Sequence, residues 1–426
     1  MKIMVIGGGG REHAVIKKLK CNPKAEVIYA LPGNGGIAKD ATCVAIGAKD
    51  IPAIVEFAKE KQIDFAVVTP DDPLVLGCVD ALEAVGVTCF GPNKAAAIIE
   101  GSKVFSKNLM KKYGIPTAAY EVFDDLDKAL EYLETAPIPT VLKADGLALG
   151  KGVIIAATRE EAKTAIRSMM EDKIFGESGS KVVIEEFLEG PEVSVLAFTD
   201  GKCVVPMVSS MDHKRALDGD KGLNTGGMGT IAPNPFYTEE VAKECIEKIF
   251  LPTIAAMNTE GRSFKGCLYF GLMITGDGPK VIEYNCRFGD PEAQVVLPLL
   301  ESDLLEIMEA TAKGTLGDLE VKFSHKAACC VVMASNGYPG KYETGFAITA
   351  EEGMTADIIY AGAKDKDGVI VTGGGRVLCV VATGETLPEA VEKAYANVPL
   401  VHFENAYYRK DIGQRALSVL QERGGC

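Results

Sequence analysis

The chain opens on short apolar runs separated by amphipathic stretches. From Lys2 to about Ile99 the runs KIMVIG, AEVIYAL, DFAVVTP and VTCFG alternate with REHAVIKKLK, IPAIVEFAKEK and LVLGCVDALEAVG, whose apolar positions recur at helical spacing. Strands alternating with amphipathic helices predict a parallel sheet covered on both faces. Residues 102–113 (SKVFSKNLMKKY) form a capped helical pattern closed by Gly114 and Pro116, an entry into a second domain.

Between about Ala119 and Gly190 the pattern is β-α-β-β-α-β: a strand near Tyr120, a helix through LDKALEYLE, the strand TVLKA, a glycine loop, the strand GVIIAA, a helix through REEAKTAIRSMM and the strand KVVIEEFL. This is a small unit set inside a larger one, which resumes at EVSVLAF and runs through LYFGLMI and VIEYN to helices near Pro291 to Lys313. From about His325 strand signals dominate, followed by a helix at LPEAVEKAYANV. The expected organisation is an α/β domain over 1–101, a second domain over 102–324 with an inserted lid over about 120–190, and a mainly β domain with α+β character over 325–426.

One strand carries an unusual row of groups. In VIEYNCRFGDPEAQ (281–294) alternate positions share a face, so Glu283, Asn285 and Arg287 project to one side while Ile282 and Tyr284 point to the other. A solvated edge strand gives the same alternation, so the rest of the chain has to decide what the row is for.

Composition narrows the choice. Lys+Arg total 45 against 59 Asp+Glu, a net charge of −14, which argues against an electrostatic nucleic-acid surface or a polybasic membrane patch. Basic groups placed in a cleft are then local and purposeful. The 12 cysteines contain no C-x-x-C pair, and the start, MKIMVIGGGGREH, runs into a glycine loop after an apolar run too short for a secretory signal, which fits a reduced cytosolic protein. No apolar segment approaches the roughly 18 residues a membrane helix needs. His13, His213, His325 and His402 lack ligand spacing, so a zinc site is not indicated.

The first β-α turn, GGGGREHA, suits a phosphate at a helix N-terminus, with Arg11 in the first turn. It is not a dinucleotide fingerprint. Counting G-x-G-x-x-G from Gly7 and Gly9 ends on Glu12, and the second strand ends without the acidic residue that would hold an adenosine ribose, which disfavours a nicotinamide-dependent oxidoreductase. In TVLKADGLALGKGVIIA a strand bearing Lys143 leads into a glycine hairpin, Gly146 to Gly152, that includes Lys151. Such a hairpin can cover a nucleotide and offer N–H donors to its phosphates, although Gly152 after Lys151 breaks the pattern of a P-loop. Further on, VIEEFLEGPEVSV presents Glu185, Glu186 and Glu192, able to accept from an adenine amino group and ribose hydroxyls.

The order Lys103, Lys143, glycine hairpin, E-E-F-L-x-G-x-E and E-x-N resembles the ATP-grasp superfamily of carboxylate-amine ligases. GGREHA, PGN, GSK, KADGLALGKGV, DHKR, NTGGMG, NCRFGDPE, GGGRVL and RKDIG together resemble the phosphoribosylamine-glycine ligases within it, along essentially the whole chain. The resemblance implies ligation of glycine to 5-phosphoribosylamine with ATP through glycyl phosphate, with Mg²⁺ (or Mn²⁺) held by Glu283 and Asn285. It implies Arg287 facing the reacting carboxylate, Lys103 and Lys143 on ATP phosphates, Glu185 beside the adenine and Glu192 on the ribose. Lys151, Gly152, Glu186 and Leu188 complete the expected nucleotide contacts. Asp212 and Lys214, in the glycine-rich MDHKRALDGDKGLNTGGMG, join Arg287 and Lys143 as candidate catalytic residues.

Because two polyanions at one cluster repel, the phosphate of phosphoribosylamine is expected apart from ATP, at Gly9, Gly10 and Arg11, met by Arg376 of VTGGGRVL with Arg409 and Lys410 in reserve. Asp71, at a strand's carboxyl end, is placed to accept from ribose hydroxyls. The small inserted unit is the expected lid over a hydrolysable acyl phosphate, with Gly150 and Gly152 giving its hairpin freedom. Departures from the family pattern are Met211 for Gln, Leu223 for Pro, Thr69 for Gly and Asp71 for Glu, and they bear on contacts to the ribose phosphate. Another ATP-grasp ligase would share the magnesium strand without DHKR, NTGGMG and RKDIG together, and a non-catalytic nucleotide sensor would have no use for Glu283, Asn285 and Lys143 at once.

Overall fold

A computed structural model describes residues 1–147 and 152–424. Lys2–Gly7 is the middle strand of a five-stranded parallel sheet, ordered Thr42–Cys43, Val27–Pro32, Lys2–Gly7, Phe65–Val68, Thr88–Phe90. Phe65–Val68 is buried at every position, which is why this strand reads as an unbroken apolar run. The strand order reverses between Lys2–Gly7 and Phe65–Val68, so their carboxyl ends open a crevice. Thr69 closes its floor, its hydroxyl donating to the Ile6 carbonyl at 2.7 Å. The stretch LVLGCVDALEAVG, which reads as one helical pattern, is two short helices, Asp71–Leu76 and Cys78–Glu83, broken at Gly77, whose φ of 94° is in the left-handed region.

The Lys103–Tyr113 helix leads out of this region, capped by Ser102 and ended by Gly114. Asp145 reaches back from the inserted unit to accept from Ser102 Oγ at 3.0 Å and Val104 N at 3.2 Å, tying the unit to that helix start. The unit is a four-stranded antiparallel sheet, ordered Tyr120–Phe123, Val182–Glu186, Thr140–Ala144, Val153–Ala156, backed by the helices Leu126–Leu133 and Arg159–Met170. It keeps its own core around Leu142, Ile166 and Ile184.

A second antiparallel sheet, ordered Val204–Pro206, Glu192–Thr199, Gly266–Thr275, Gly278–Asn285, faces it across the cleft. Its last strand bulges. Leu272 pairs with Val281 and Gly271 with Glu283, so Ile282 is an extra residue without a partner in the register. The bulge corrects the expected alternation: Val281 takes the core position beside Tyr284 and Cys286, and Ile282 lies on the cleft side instead of sharing Tyr284's face. The strands Met211–Asp212 and Gly229–Ala232 leave this region and pair in series onto Ala327–Ser335, extending the six-stranded sheet of the C-terminal part. Among the described residues no helix is long and apolar enough to cross a membrane.

Candidate active site

The inserted sheet, the second antiparallel sheet and the Met211–Asp212 edge of the six-stranded sheet border a cleft of about 670 Å³. Asp71, Lys103, Lys143, Gly152, Glu185, Glu186, Leu188, Glu192, Asp212, Lys214, Glu283, Asn285 and Arg287, picked out from sequence, all line it. Lys151 and Gly150 lie outside the described residues. Gly9, Gly10, Arg11 and Arg376 are set back from this lining.

Glu283 occupies the centre of the charge pattern. Burial alone would raise its pKa, but Lys214, Lys143, Lys103 and Arg287 around it more than offset that and hold it below the usual carboxylate range. Its side chain makes no hydrogen bond to any described residue and borders the cleft as an acceptor. Gly271 lets it approach: a Cβ there would stand 3.1 Å from Glu283 Cγ. Asn285 Oδ1, on the same face, receives only a long contact from Arg287 Nη2 at 3.3 Å.

Arg287 is fixed by Glu100, whose Oε1 accepts from Nη2 at 3.0 Å while Oε2 accepts from Cys286 N at 2.7 Å. Arg287 Nε is buried without a partner among the described residues, a donor kept for something in the cleft. Burial works against its charge, yet Glu100 and Asp71 raise its pKa further. Asp71, at the crevice, thus reaches the same electrostatic network.

The lid wall carries a second constellation. Lys143 Nζ donates to the carbonyl of the bulged Ile282 at 2.9 Å and pairs with Glu185 Oε2 at 3.1 Å. Lys107, which the sequence reading missed, pairs with the same oxygen at 3.1 Å, and burial lowers its pKa to about 8. Its signal was available: it stands one helical turn after Lys103, on the same face. Lys103 Nζ donates to the Gly146 carbonyl at 2.6 Å, and burial lowers its pKa despite nearby Glu283.

At the mouth, Lys214 Nζ pairs with Glu192 Oε2 at 3.1 Å, and Glu192 followed by Glu283 raises its pKa well above the lysine norm. Asp212 lies deeper. Burial and then Glu292 push its pKa well up, and Glu292 is itself raised by burial while accepting from Ser194 Oγ at 3.3 Å. Both carboxyls line the cleft. Glu186 is turned outward, 3.6 Å from Lys280 Nζ.

The expected second anion site is differently furnished. Gly9 N donates to Glu12 Oε2 at 2.6 Å, and Arg11 donates to Glu12 Oε1 at 2.6 Å and the Phe288 carbonyl at 3.2 Å. A Cβ on Gly10 would stand 2.6 Å from Gln294 Nε2 and 3.7 Å from Asp290 Oδ1. Asp290, another residue the sequence reading passed over, is held below the usual carboxylate range because Arg376 and Arg11 outweigh the effect of its burial. Arg376 braces two loops, donating to the carbonyls of Gly226 at 2.8 Å and Asp290 at 2.9 Å. Arg409 is not free to serve as a reserve: it is 1% exposed, held by Asp411 at 2.8 Å and Asp220 at 3.0 Å. Lys410 lends its backbone N to Asp218 at 2.8 Å. The R-K-D-I-G segment thus clamps the Arg215–Leu217 and Lys221–Asn224 hairpin.

Comparison with known proteins agrees along the whole length. Family models described as phosphoribosylglycinamide synthetase match here in order: the N domain over 1–100, the ATP-grasp (A) domain over 101–293 and the C domain over 328–415. The chain is 49% identical over 413 residues to the phosphoribosylamine–glycine ligase of Caldanaerobacter subterraneus subsp. tengcongensis, covering 97% of this chain and 99% of that one. Against the phosphoribosylamine–glycine ligase of an Escherichia coli strain it is 47% identical over 424 residues, 98% and 99% of the two chains. The crystal structure of the Thermotoga maritima phosphoribosylamine–glycine ligase superposes with a TM-score of 0.86 at 36% identity, over 97% of this chain and all 100% of that one. A biotin carboxylase domain from Hydrogenobacter thermophilus shares the fold alone, with a TM-score of 0.73 at 17% identity over 96% of this chain and 91% of that one. Glycine-rich cleft, cation-ringed Glu283 and matches to all three domain models together place the chain in the phosphoribosylglycinamide synthetase family of ATP-grasp ligases.

Proposed function

We propose that the chain ligates glycine to 5-phosphoribosylamine, giving glycinamide ribonucleotide, ADP and phosphate, a carbon–nitrogen ligation of de novo purine biosynthesis that uses ATP with Mg²⁺ or Mn²⁺. The observation that carries this reading is Glu283: an ionised carboxylate beside Asn285, without a hydrogen-bond partner among the described residues and ringed by Lys214, Lys143, Lys103 and Arg287. Glu283 and Asn285 would hold the metal as two oxygen ligands, leaving phosphate oxygens and water to complete its shell. Bound there, it would neutralise charge on the transferring phosphoryl group.

A carboxylate cannot acylate an amine directly, because it would have to expel oxide. A glycine carboxylate oxygen therefore attacks the γ-phosphorus of ATP, the bond to the β,γ-bridging oxygen breaks, and ADP leaves. The nitrogen of phosphoribosylamine then attacks the carbonyl carbon of glycyl phosphate, loses a proton, and phosphate departs. Neither step requires a side-chain nucleophile. Arg287, steadied by Glu100, and Lys103 stabilise charge on the reacting carboxylate and phosphates, while Asp212 and Lys214 border the side where glycine and the amine meet. Glu185, Leu188 and Glu192 take the adenosine, and Gly152 borders its phosphates. The inserted unit serves as the lid, and Gly9, Gly10, Arg11, Asp71 and Arg376 receive the ribose phosphate.

The substrates are small molecules, with no part for nucleic acid or membrane. We place the enzyme in the cytoplasm, a reading supported by cysteines that are free thiols among the described residues, most of them buried. The direct test is ADP release with phosphoribosylamine generated in place. Sustained ADP turnover should require ATP, glycine and the amine together, other amino acids should not replace glycine, and hydroxylamine in place of the amine should trap glycyl hydroxamate with release of ADP. ADP release indifferent to glycine would overturn the assignment.

A further inference from the structure

The two oxygens of Glu185 are treated unequally. Oε2 forms ion pairs with Lys107 Nζ and Lys143 Nζ, each at 3.1 Å, whereas Oε1, in a residue 4% exposed, has no partner among the described residues. An unpartnered buried carboxylate oxygen is unfavourable, so the wall is complete only when a ligand brings a donor there.

The two lysines hold Oε2 in different ways. Lys143 Nζ donates to the Ile282 carbonyl and is ion-paired with Glu185, which leaves it an N–H to offer a nucleotide. Lys107 meets three protein acceptors: Glu185 Oε2, Thr117 Oγ1 at 2.7 Å and the Ala118 carbonyl at 3.5 Å. Thr117 in turn donates to the Val281 carbonyl at 2.7 Å, on the strand that bears Glu283. Lys107 is therefore anchored to the body of the protein, its ammonium turned toward protein acceptors. When a nucleotide draws on Lys143, Lys107 remains as the fixed hold on Glu185.

We infer that Lys107 is a positioning residue for purine selection: it fixes the Glu185 carboxylate so that Oε1 receives the 6-amino group of adenine and rejects a 6-oxo purine. The inference rests on the reading of this wall as the adenine site. Adenine presents an N–H donor at position 6 where guanine and hypoxanthine present a carbonyl acceptor. Two acceptors facing each other leave both unpaired, and a site built to bind an N–H rejects an analogue lacking it by up to roughly 10⁴-fold. A Glu185 free to rotate, or to turn its paired oxygen toward the base, would lose that discrimination.

The test compares ATP with ITP, which differs from ATP at the base only in its 6-oxo form, in the full-length enzyme with saturating glycine and phosphoribosylamine. In Lys107→Met, kcat/KM for ATP should fall by roughly tenfold or more while that for ITP changes by less than about threefold, collapsing the ATP/ITP ratio, with the glycine KM unmoved. Lys107→Gln, which can still donate to Oε2, should recover part of the ratio, and it decides the matter if Lys107→Met does not fold. Glu185→Gln should shift preference toward ITP, because its amide can donate to the 6-oxo group. If folded Lys107 variants lose ATP and ITP activity equally while Glu185→Gln still shifts the preference, Lys107 only supports the fold and the inference fails with the adenine reading intact. If Glu185→Gln leaves the ratio unchanged, Glu185 does not read the base, and the adenine reading and the inference fall together.

Discussion

The two ends of the cleft are prepared in opposite ways. At the lid end, strong hydrogen-bonding groups have no partner among the described residues: the Glu283 carboxylate, Glu185 Oε1 and Arg287 Nε. At the amino-terminal end the equivalent groups are already engaged, Gly9 N and Arg11 by Glu12, and Arg376 by Asp290 and the Gly226 carbonyl. The difference teaches that similar-looking glycine and arginine motifs are poised differently. The lid end gains interactions when a nucleotide and metal arrive. At the amino-terminal end an incoming phosphate would have to replace internal carboxylate contacts, a cost that would be set against its binding there.

The largest effect that would break the comparison is at Glu283. Glu283→Ala should remove several kcal/mol of transition-state stabilisation, on the order of a thousandfold in kcat, without changing the unfolding temperature appreciably. Raised Mg²⁺ should restore part of the activity. Steady-state rates over a magnesium series check this, and unaltered activity would show that the bare carboxylate is not a ligand.

Arg409→Met probes the engaged side. It strips a buried guanidinium from Asp411 and Asp220, which stay partly exposed, and should cost about 1.5–3 kcal/mol of stability, read by denaturant unfolding. The KM for ATP should stay within about twofold of wild type.

His213 sharpens the same side by pH. It is buried between the Gly229 carbonyl and Gly413 N, and burial lowers its pKa to about 4. Between the unfolded value near 6.5 and 4 the unfolded chain binds the extra proton, so this group's contribution is present above the upper value and lost as pH falls through the window. The loss should be on the order of 3 kcal/mol by pH 4, and His213→Gln should flatten that part of the stability–pH curve. The smallest effect belongs to Leu223, 66% exposed at the hairpin edge: Leu223→Asn should change stability by less than about 0.5 kcal/mol by thermal melting.

Local pattern made much of this legible. The apolar runs gave the parallel sheet, the inserted β-α-β-β-α-β unit appears where its strands and helices were read, and alternation put Glu283, Asn285 and Arg287 together at the cleft. What stayed hidden depends on distant partners. The Ile282 bulge arises from its register with Leu272 and Gly271, which no local period reveals. Met211–Asp212 and Gly229–Ala232 join a sheet whose central strand, Ala327–Ser335, lies far along the chain. Glu12, Asp290 and Asp411 look like ordinary acids in sequence, yet each occupies a basic or N–H group that pattern alone leaves free for a ligand.

The central claim is that the cleft divides its anions, with ATP at the lid end and the ribose phosphate at the amino-terminal loop. Arg11→Ala tests it most directly, through the KM values of all three substrates measured on one preparation. The account predicts that the KM for phosphoribosylamine rises, roughly tenfold per 1.4 kcal/mol of lost charge-assisted bonding, while those for ATP and glycine barely move. A raised KM for ATP with phosphoribosylamine unaffected would contradict it.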